Sequence, residues 1–211
     1  MMKLPRVYPI LDTSALASRG AGLRLAAEAF LEGGAGILQI RHKGHWNRSV
    51  FREAEEVSGL CRQYGAILII DDRADIAMLL EAGLHVGQDD LPPREARRLI
   101  GDAILGYSSH NPRQLCEAGG EPVDYVALGP IFPTVSKQNP DPVVGLDQLR
   151  DCRGLVTKPL VAIGGITREN ARDVLAAGAD AVAVIGDLLP EPATAFALRQ
   201  RMEEWRQLTS R

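Results

Sequence analysis

The chain has 211 residues, enough for one α/β unit with a sizeable core. Hydrophobic residues make up 45% and charged residues 24%, the balance of a soluble globular protein. A formal net charge of −3 gives no general attraction for nucleic acid or an anionic membrane, so any bound phosphate must meet a local cluster.

The opening Met-Met-Lys-Leu-Pro-Arg-Val-Tyr-Pro-Ile lacks the apolar centre of a signal peptide, and no stretch nears the ~20 apolar residues that cross a bilayer. Cys61, Cys116 and Cys152 are widely spaced without a C-x-x-C, as expected of three small, mostly buried thiols in a reducing compartment. The chain reads as cytoplasmic.

Short β-branched runs alternate with helical segments. Strands are predicted at 7–11, 37–41, 67–71, 84–87, 104–107, 125–128, 160–163 and 181–185. Most are apolar on both faces, as in a parallel sheet covered by helices. Amphipathic spacing predicts helices over 48–64 and 168–177, and a closing helix over 192–208. Glycines at 33–34, 65, 83 and 178 stand where helices exit and a left-handed residue is wanted.

Eight strand-helix repeats over 1–211 predict a single (β/α)8 barrel, with the open doubly wound sheet as the competing architecture. The open sheet favours fewer strands and a G-x-G-x-x-G after the first, which is absent after Leu11. One connection is long: residues 133–144 are too proline-rich for helix and begin at the barrel's active rim, as a lid would.

Two strands end in paired carboxylates, Asp71-Asp72 and Asp89-Asp90, about one strand-helix unit apart. On neighbouring barrel strands such groups converge at one rim, where they repel unless a cation joins them. Asp72 and Asp90 have the type and spacing of two Mg²⁺ ligands. Asp71 or Asp89 is alternatively a helix N-cap, and the division within each pair is open. Gln39, Arg41 and Lys43 alternate onto one face, where a planar guanidinium and an ammonium suit phosphate oxygens.

Thr134, Ser136 and Lys137 follow strand six, and Ser108 ends strand five as either a ligand or a cap for the helix near Asn111. Gly164-Gly165 and Ile185-Gly186 follow strands seven and eight, where backbone N–H groups of these barrels often cradle phosphate. The histidines carry less weight, with no zinc spacing among them.

These motifs, in order, resemble the thiamine phosphate synthase family from Tyr8 to about Leu188. Family members look like Q-x-R-x-K, N-D-R, H-x-G-Q-x-D, G-x-S, G-P-I-F-P-T-x-T-K, I-G-G-I and a V-S pair. The chain supplies Gln39/Arg41/Lys43, Asp71-Asp72-Arg73, His85 to Asp90, Gly106/Ser108, Gly129 to Lys137 and Ile163 to Ile166.

The resemblance implies a (β/α)8 barrel that joins hydroxymethylpyrimidine pyrophosphate to a thiazole phosphate, releasing pyrophosphate. It implies that Gln39, Arg41, Lys43, Ser108 and Lys137 hold the pyrimidine diphosphate, with Lys137, Ser108 and Arg41 acting on the leaving group. Asp72 and Asp90 then bind Mg²⁺. Thr134 and Ser136 contact the thiazole phosphate, with Gly165, Ile185 and Gly186 completing that site. The implied partners are these small molecules, not nucleic acid or membrane, and homo-oligomerisation is left open.

The chain departs from the pattern at three positions. Asp71 replaces an Asn, so a donor to the diphosphate becomes an acceptor, and we expect it to be recruited to the metal. Ser136 replaces a Thr and keeps the hydroxyl. Gly186 replaces the Ser of the last pair and leaves only its N–H for the thiazole phosphate.

Competing readings are a thiazole tautomerase, which isomerises the thiazole and has little use for a full diphosphate site, and a barrel that binds thiamine phosphates without turnover. A phosphosugar isomerase ranks lowest, since it leaves the carboxylate pairs unexplained.

Overall fold

The computed structural model describes residues 3–134 and 141–210. Eight strands, β1 Val7–Asp12, β2 Ile37–Arg41, β3 Ile67–Asp71, β4 Gly83–Val86, β5 Leu105–Ser109, β6 Tyr125–Leu128, β7 Leu160–Ile163 and β8 Ala181–Val184, close in sequence order into a barrel. Every pairing is parallel, including β1 with β8, which excludes the open sheet.

The surrounding helices are α1 Thr13–Ser18, α2 Leu23–Glu32, α3 Arg48–Tyr64, α4 Ala74–Leu79, α5 Pro93–Ile100, α6 Pro112–Gly119, α7 Gly145–Arg153, α8 Ala171–Ala176 and α9 Ala195–Thr209. A 3-10 turn, Gly186–Leu188, follows β8.

Strand alternation divides the core in two. Tyr8, Ile10, Ile37, Ile69, Tyr125, Ala127, Val161, Ala181 and Ala183 point inward and fill the barrel. Residues of the opposite parity, among them Leu38, Ile40, Ile70, Leu84, Val126, Leu160 and Val182, pack outward under the helices. Each fully buried Leu, Ile or Val contributes roughly 1.5–3 kcal/mol, so the outward face of every strand, and the inward face of all but β4 and β5, hold the barrel shut. Inward parity also decides which polar side chains reach the mouth: Gln39 and Arg41 continue the row of Ile37, and Asp71 that of Ile69.

The last helix closes the ring as expected, starting at Ala195 behind the N-cap Thr194, whose hydroxyl accepts Ala197 N–H at 3.2 Å. Leu198, Met202 and Trp205 are buried beneath it. Its approach to α2 is so close that a Cβ on Gly33 would lie 2.7 Å from that of Met202.

Three local expectations are corrected. The helix predicted over 168–177 begins only at Ala171, because Asn170 turns the chain: its Oδ1 accepts Thr167 N–H at 2.9 Å and its Nδ2 donates to Gly165 O at 3.1 Å. Gly83 opens β4 instead of ending a helix, and Glu81 takes the left-handed position with φ 52°. Neither Asp71 nor Asp89 caps a helix, since Arg73 and Pro92 occupy those positions. Of the three thiols, Cys61 and Cys152 are buried but Cys116 is exposed. No helix among the described residues is long and apolar enough to cross a membrane.

Candidate active site

The strand ends bring acids and bases together at one mouth. Register sets Asp12 beside Arg41, and Asp71 beside His85. Arg41 pairs with Asp12, and its Nε lies 3.6 Å from Asp71 Oδ2. Lys43 Nζ lies 3.0 Å from Asp71 Oδ2 and also pairs with Asp72. Arg41 and Lys43, two of the basic side chains expected to hold the diphosphate, are thus held by carboxylates.

Within the first acidic pair the backbone makes the division. Asp71 faces inward and is only 8% exposed. Asp72 has φ 62°, a conformation L-residues rarely take, with Arg73 N–H reaching back over it to Asp71 O at 2.7 Å. Its own N–H donates to His85 O at 2.8 Å, tying β3 to β4. Such strain persists only where the surroundings over-determine it, and it turns Asp72 away from the strand's alternation.

In the second pair Asp89 is exposed, while Asp90 is half-buried and accepts Gly87 N–H at 2.7 Å.

Burial raises the pKa of Asp71 even though Lys43 and Arg41 pull it down. Burial also raises that of Asp90, followed by a hydrogen bond and like charge from Asp72, so these two carboxylates meet. For Lys43, burial opposes the charged form, but Asp71 and Asp72 outweigh it and raise its pKa. Two abutting carboxylates, one reluctant to ionise beside the other, form an oxygen donor set whose one cationic neighbour, Lys43, is shared with Asp71. Among the described residues no larger His, Cys, Asp and Glu cluster gathers. Mg²⁺ commonly uses one or two carboxylates with water and substrate phosphate, so the pair fits it.

Two of the proposed ligands are engaged deeper in the barrel. Gln39, 3% exposed, donates from Nε2 to Tyr8 Oη at 3.3 Å. Tyr8 and Tyr125 hydroxyls lie 2.9 Å apart, Tyr125 Oη lies 2.9 Å from His85 Nδ1, and His85 Nε2 lies 2.8 Å from Ser108 Oγ. Ser108 therefore does not cap α6. Asn111 does, accepting Gln114 N–H at 3.0 Å.

Burial lowers the His85 pKa to about 4, despite the charge of Asp90, so its imidazole is neutral. Sequence reasoning passed over Tyr125 and Asp12 and gave no role to Tyr8 or to His85, which it placed only in a motif. Inward parity with Gln39 and Asp71 was the available signal for them.

The glycine loops lie over the other side of the mouth. Gly164 and Gly165 have φ of 97° and 63°. A Cβ on Gly165 would sit 2.5 Å from Pro133 O, so only glycine lets this loop lie against the one after β6. Phe132 N–H donates to Gly164 O at 3.0 Å across the same junction. Ile185 packs on the inner cluster and the exposed Gly186 starts the 3-10 turn. Arg168 Nε donates to Asp187 Oδ2 at 2.9 Å, clamping that turn to the loop after β7. Thr134 follows β6 and is half-buried. Ser136, Lys137 and half of the expected lid, residues 135–140, fall outside the described residues.

Fold and site together define a (β/α)8-barrel enzyme whose mouth gathers carboxylates, cationic side chains and glycine loops. The family model for thiamine monophosphate synthase matches residues 7–188, and the chain belongs to that family. It is 48% identical over 211 residues to the thiamine-phosphate synthase of Koribacter versatilis (strain Ellin345), covering 98% of this chain and 97% of that one. It is 43% identical over 196 residues to that of Chloroflexus aurantiacus, covering 92% and 90%. Among solved structures, the thiamine phosphate pyrophosphorylase of Pyrococcus furiosus superposes with a TM-score of 0.82 at 29% identity, covering 99% of each chain.

Proposed function

We propose that the chain couples a hydroxymethylpyrimidine pyrophosphate to a hydroxyethylthiazole phosphate, giving thiamine phosphate and pyrophosphate. It is a transferase of thiamine biosynthesis. The observation that carries the site assignment is the meeting of Lys43 with Asp71 and Asp72, with Asp72 against Asp90, because it sets cation and metal-type ligands around one point.

The methylene carbon–oxygen bond to the diphosphate breaks, the electron-rich aminopyrimidine stabilises the cation left behind, and the thiazole nitrogen forms the new carbon–nitrogen bond. Negative charge grows on the departing diphosphate. Arg41, Lys43, Ser108 and Lys137 receive it as charged and hydroxyl donors, and Gln39 joins them in holding the pyrimidine diphosphate. Asp72 and Asp90 would hold Mg²⁺, which when bound adds positive charge beside the same oxygens. Thr134, Ser136, Gly165, Ile185 and Gly186 take the thiazole phosphate through hydroxyls and backbone N–H groups. No strong general base is required.

The test is pyrophosphate release with both substrates, with each omitted in turn, and with and without EDTA. Release needs both substrates and stops with EDTA. Isomerisation of the thiazole with no release would assign a tautomerase instead, and tight binding without turnover a non-catalytic barrel.

A further inference from the structure

The five side chains Gln39, Tyr8, Tyr125, His85 and Ser108 form one continuous chain of hydrogen bonds through the barrel interior, from β2 across β1, β6 and β4 to β5. Its middle members have no solvent to satisfy them: Tyr8 is 1% and Tyr125 0% exposed, and His85 is 9% exposed. The tyrosine and histidine rings are also in contact, Tyr8 edge-on to Tyr125 and Tyr125 stacked on His85 with centroids 5.6 Å apart. The proposed function uses only the two ends.

We propose that Tyr8, Tyr125 and His85 are positioning residues that give this chain a single polarity, so that Ser108 presents its hydroxyl proton to the leaving diphosphate. The inference rests on the coupling reading for the identity of that anion.

The polarity follows from counting protons. Gln39 Nε2 can only donate, so Tyr8 Oη accepts from it, and because a buried hydroxyl proton needs an acceptor, the Tyr8 proton goes to Tyr125. Tyr125 in turn spends its proton on His85 Nδ1. With Nδ1 accepting, the proton of the neutral ring sits on Nε2 and is donated to Ser108 Oγ. The Ser108 hydroxyl is thereby left free to donate outward. Each bond in such a run polarises the next, which sharpens the terminal donor.

The backbone holds the terminus still: Gln88 Nε2 donates to Ser108 O at 2.6 Å, and the neighbouring Ser109 Oγ to Ala127 O at 2.7 Å. The reverse polarity would have Ser108 donating into the ring, with no proton left for the diphosphate.

Nitrogen-15 NMR of the histidine-labelled protein reads this directly, the His85 signals being identified by their loss in His85→Gln. The wild type shows the Nε2–H tautomer, and an Nδ1–H tautomer overturns the proposal. In the kinetic arm, Tyr125→Phe keeps the ring and removes the relay. It lowers kcat roughly tenfold, about one hydrogen bond's worth, with KM for the pyrimidine diphosphate nearly unchanged, because the donor matters most as charge develops.

His85→Gln, whose side-chain N–H takes the Nε2 position, keeps more of kcat than His85→Leu. Equal losses in those two variants, or an unchanged kcat in Tyr125→Phe, overturn it. If the wild type released no pyrophosphate, the coupling reading would fall while the tautomer remained measurable.

Discussion

The Lys43 ammonium lies against the Asp71 and Asp72 carboxylates, so a side chain assigned to the diphosphate neutralises one of the two groups assigned to the metal. On the proposed assignment, cation and metal compete for Asp72 until a substrate anion draws Lys43 away. Lys43→Ala is expected to tighten Mg²⁺ binding to the substrate-free protein several-fold while raising KM for the pyrimidine diphosphate. Calorimetric titration with Mg²⁺ and steady-state kinetics measure the two effects. Weakened binding of both ligands would contradict the competition.

Asp71 faces Arg41 and Lys43 from within the barrel, and burial raises its pKa. Our sequence-based expectation recruited it to the metal. Its pairing with the two bases points to a different role, that of a competitor for the groups that receive the diphosphate. Asp71→Asn is then expected to lower KM for the pyrimidine diphosphate and leave half-saturation by Mg²⁺ unchanged. Loss of a metal partner would instead weaken Mg²⁺ by about 10–100-fold.

Gly186 has room around it: a Cβ there would meet nothing within 4 Å, and its φ is not left-handed. A serine hydroxyl can be added without moving the loop. Gly186→Ser is expected to fold normally and to lower KM for the thiazole phosphate by up to about tenfold, one hydrogen bond's worth. Unaltered kinetics in a well-folded variant would remove this turn from the thiazole site.

Cys61 gives the fold an alkaline limit. Burial pushes its thiol up to about 12, above the ordinary value of 9.0. Between those values the unfolded chain has lost a proton that the folded chain keeps, so unfolding gains and stability falls as pH rises. The expected slope is about 1.4 kcal/mol per pH unit from this group alone. Urea denaturation of the wild type and Cys61→Ala across pH 9 to 11 should show the variant losing less stability. Identical slopes would show that the thiol does not titrate with unfolding.

Much of the architecture was legible because it is written in local periodicity. The runs at Ile37–Arg41, Ile67–Asp71, Tyr125–Leu128 and Leu160–Ile163 are strands with the predicted bounds, since apolar β-branched stretches with both faces buried have few other solutions. Alternation by two also set Gln39 and Arg41 on the inward face. The start of α8 was misread because Arg168 and Asn170 spend their polar groups on Asp187 and Gly165, contacts that helical spacing does not encode.

What the chain by itself determined is the kind of side chain carried to each strand end: two acidic pairs, an arginine and lysine two apart, glycines after the last two strands. Closure of the barrel decided how they meet. Tyr8 and Tyr125 are 117 residues apart yet share a hydrogen bond, because β1 and β6 aim inward across a narrow interior. Asp72 and Asp71 are adjacent and chemically identical, and only a left-handed turn at φ 62° separates their tasks. Periodicity is a property of neighbours along the chain, whereas hydrogen-bond polarity and charge pairing belong to neighbours in space.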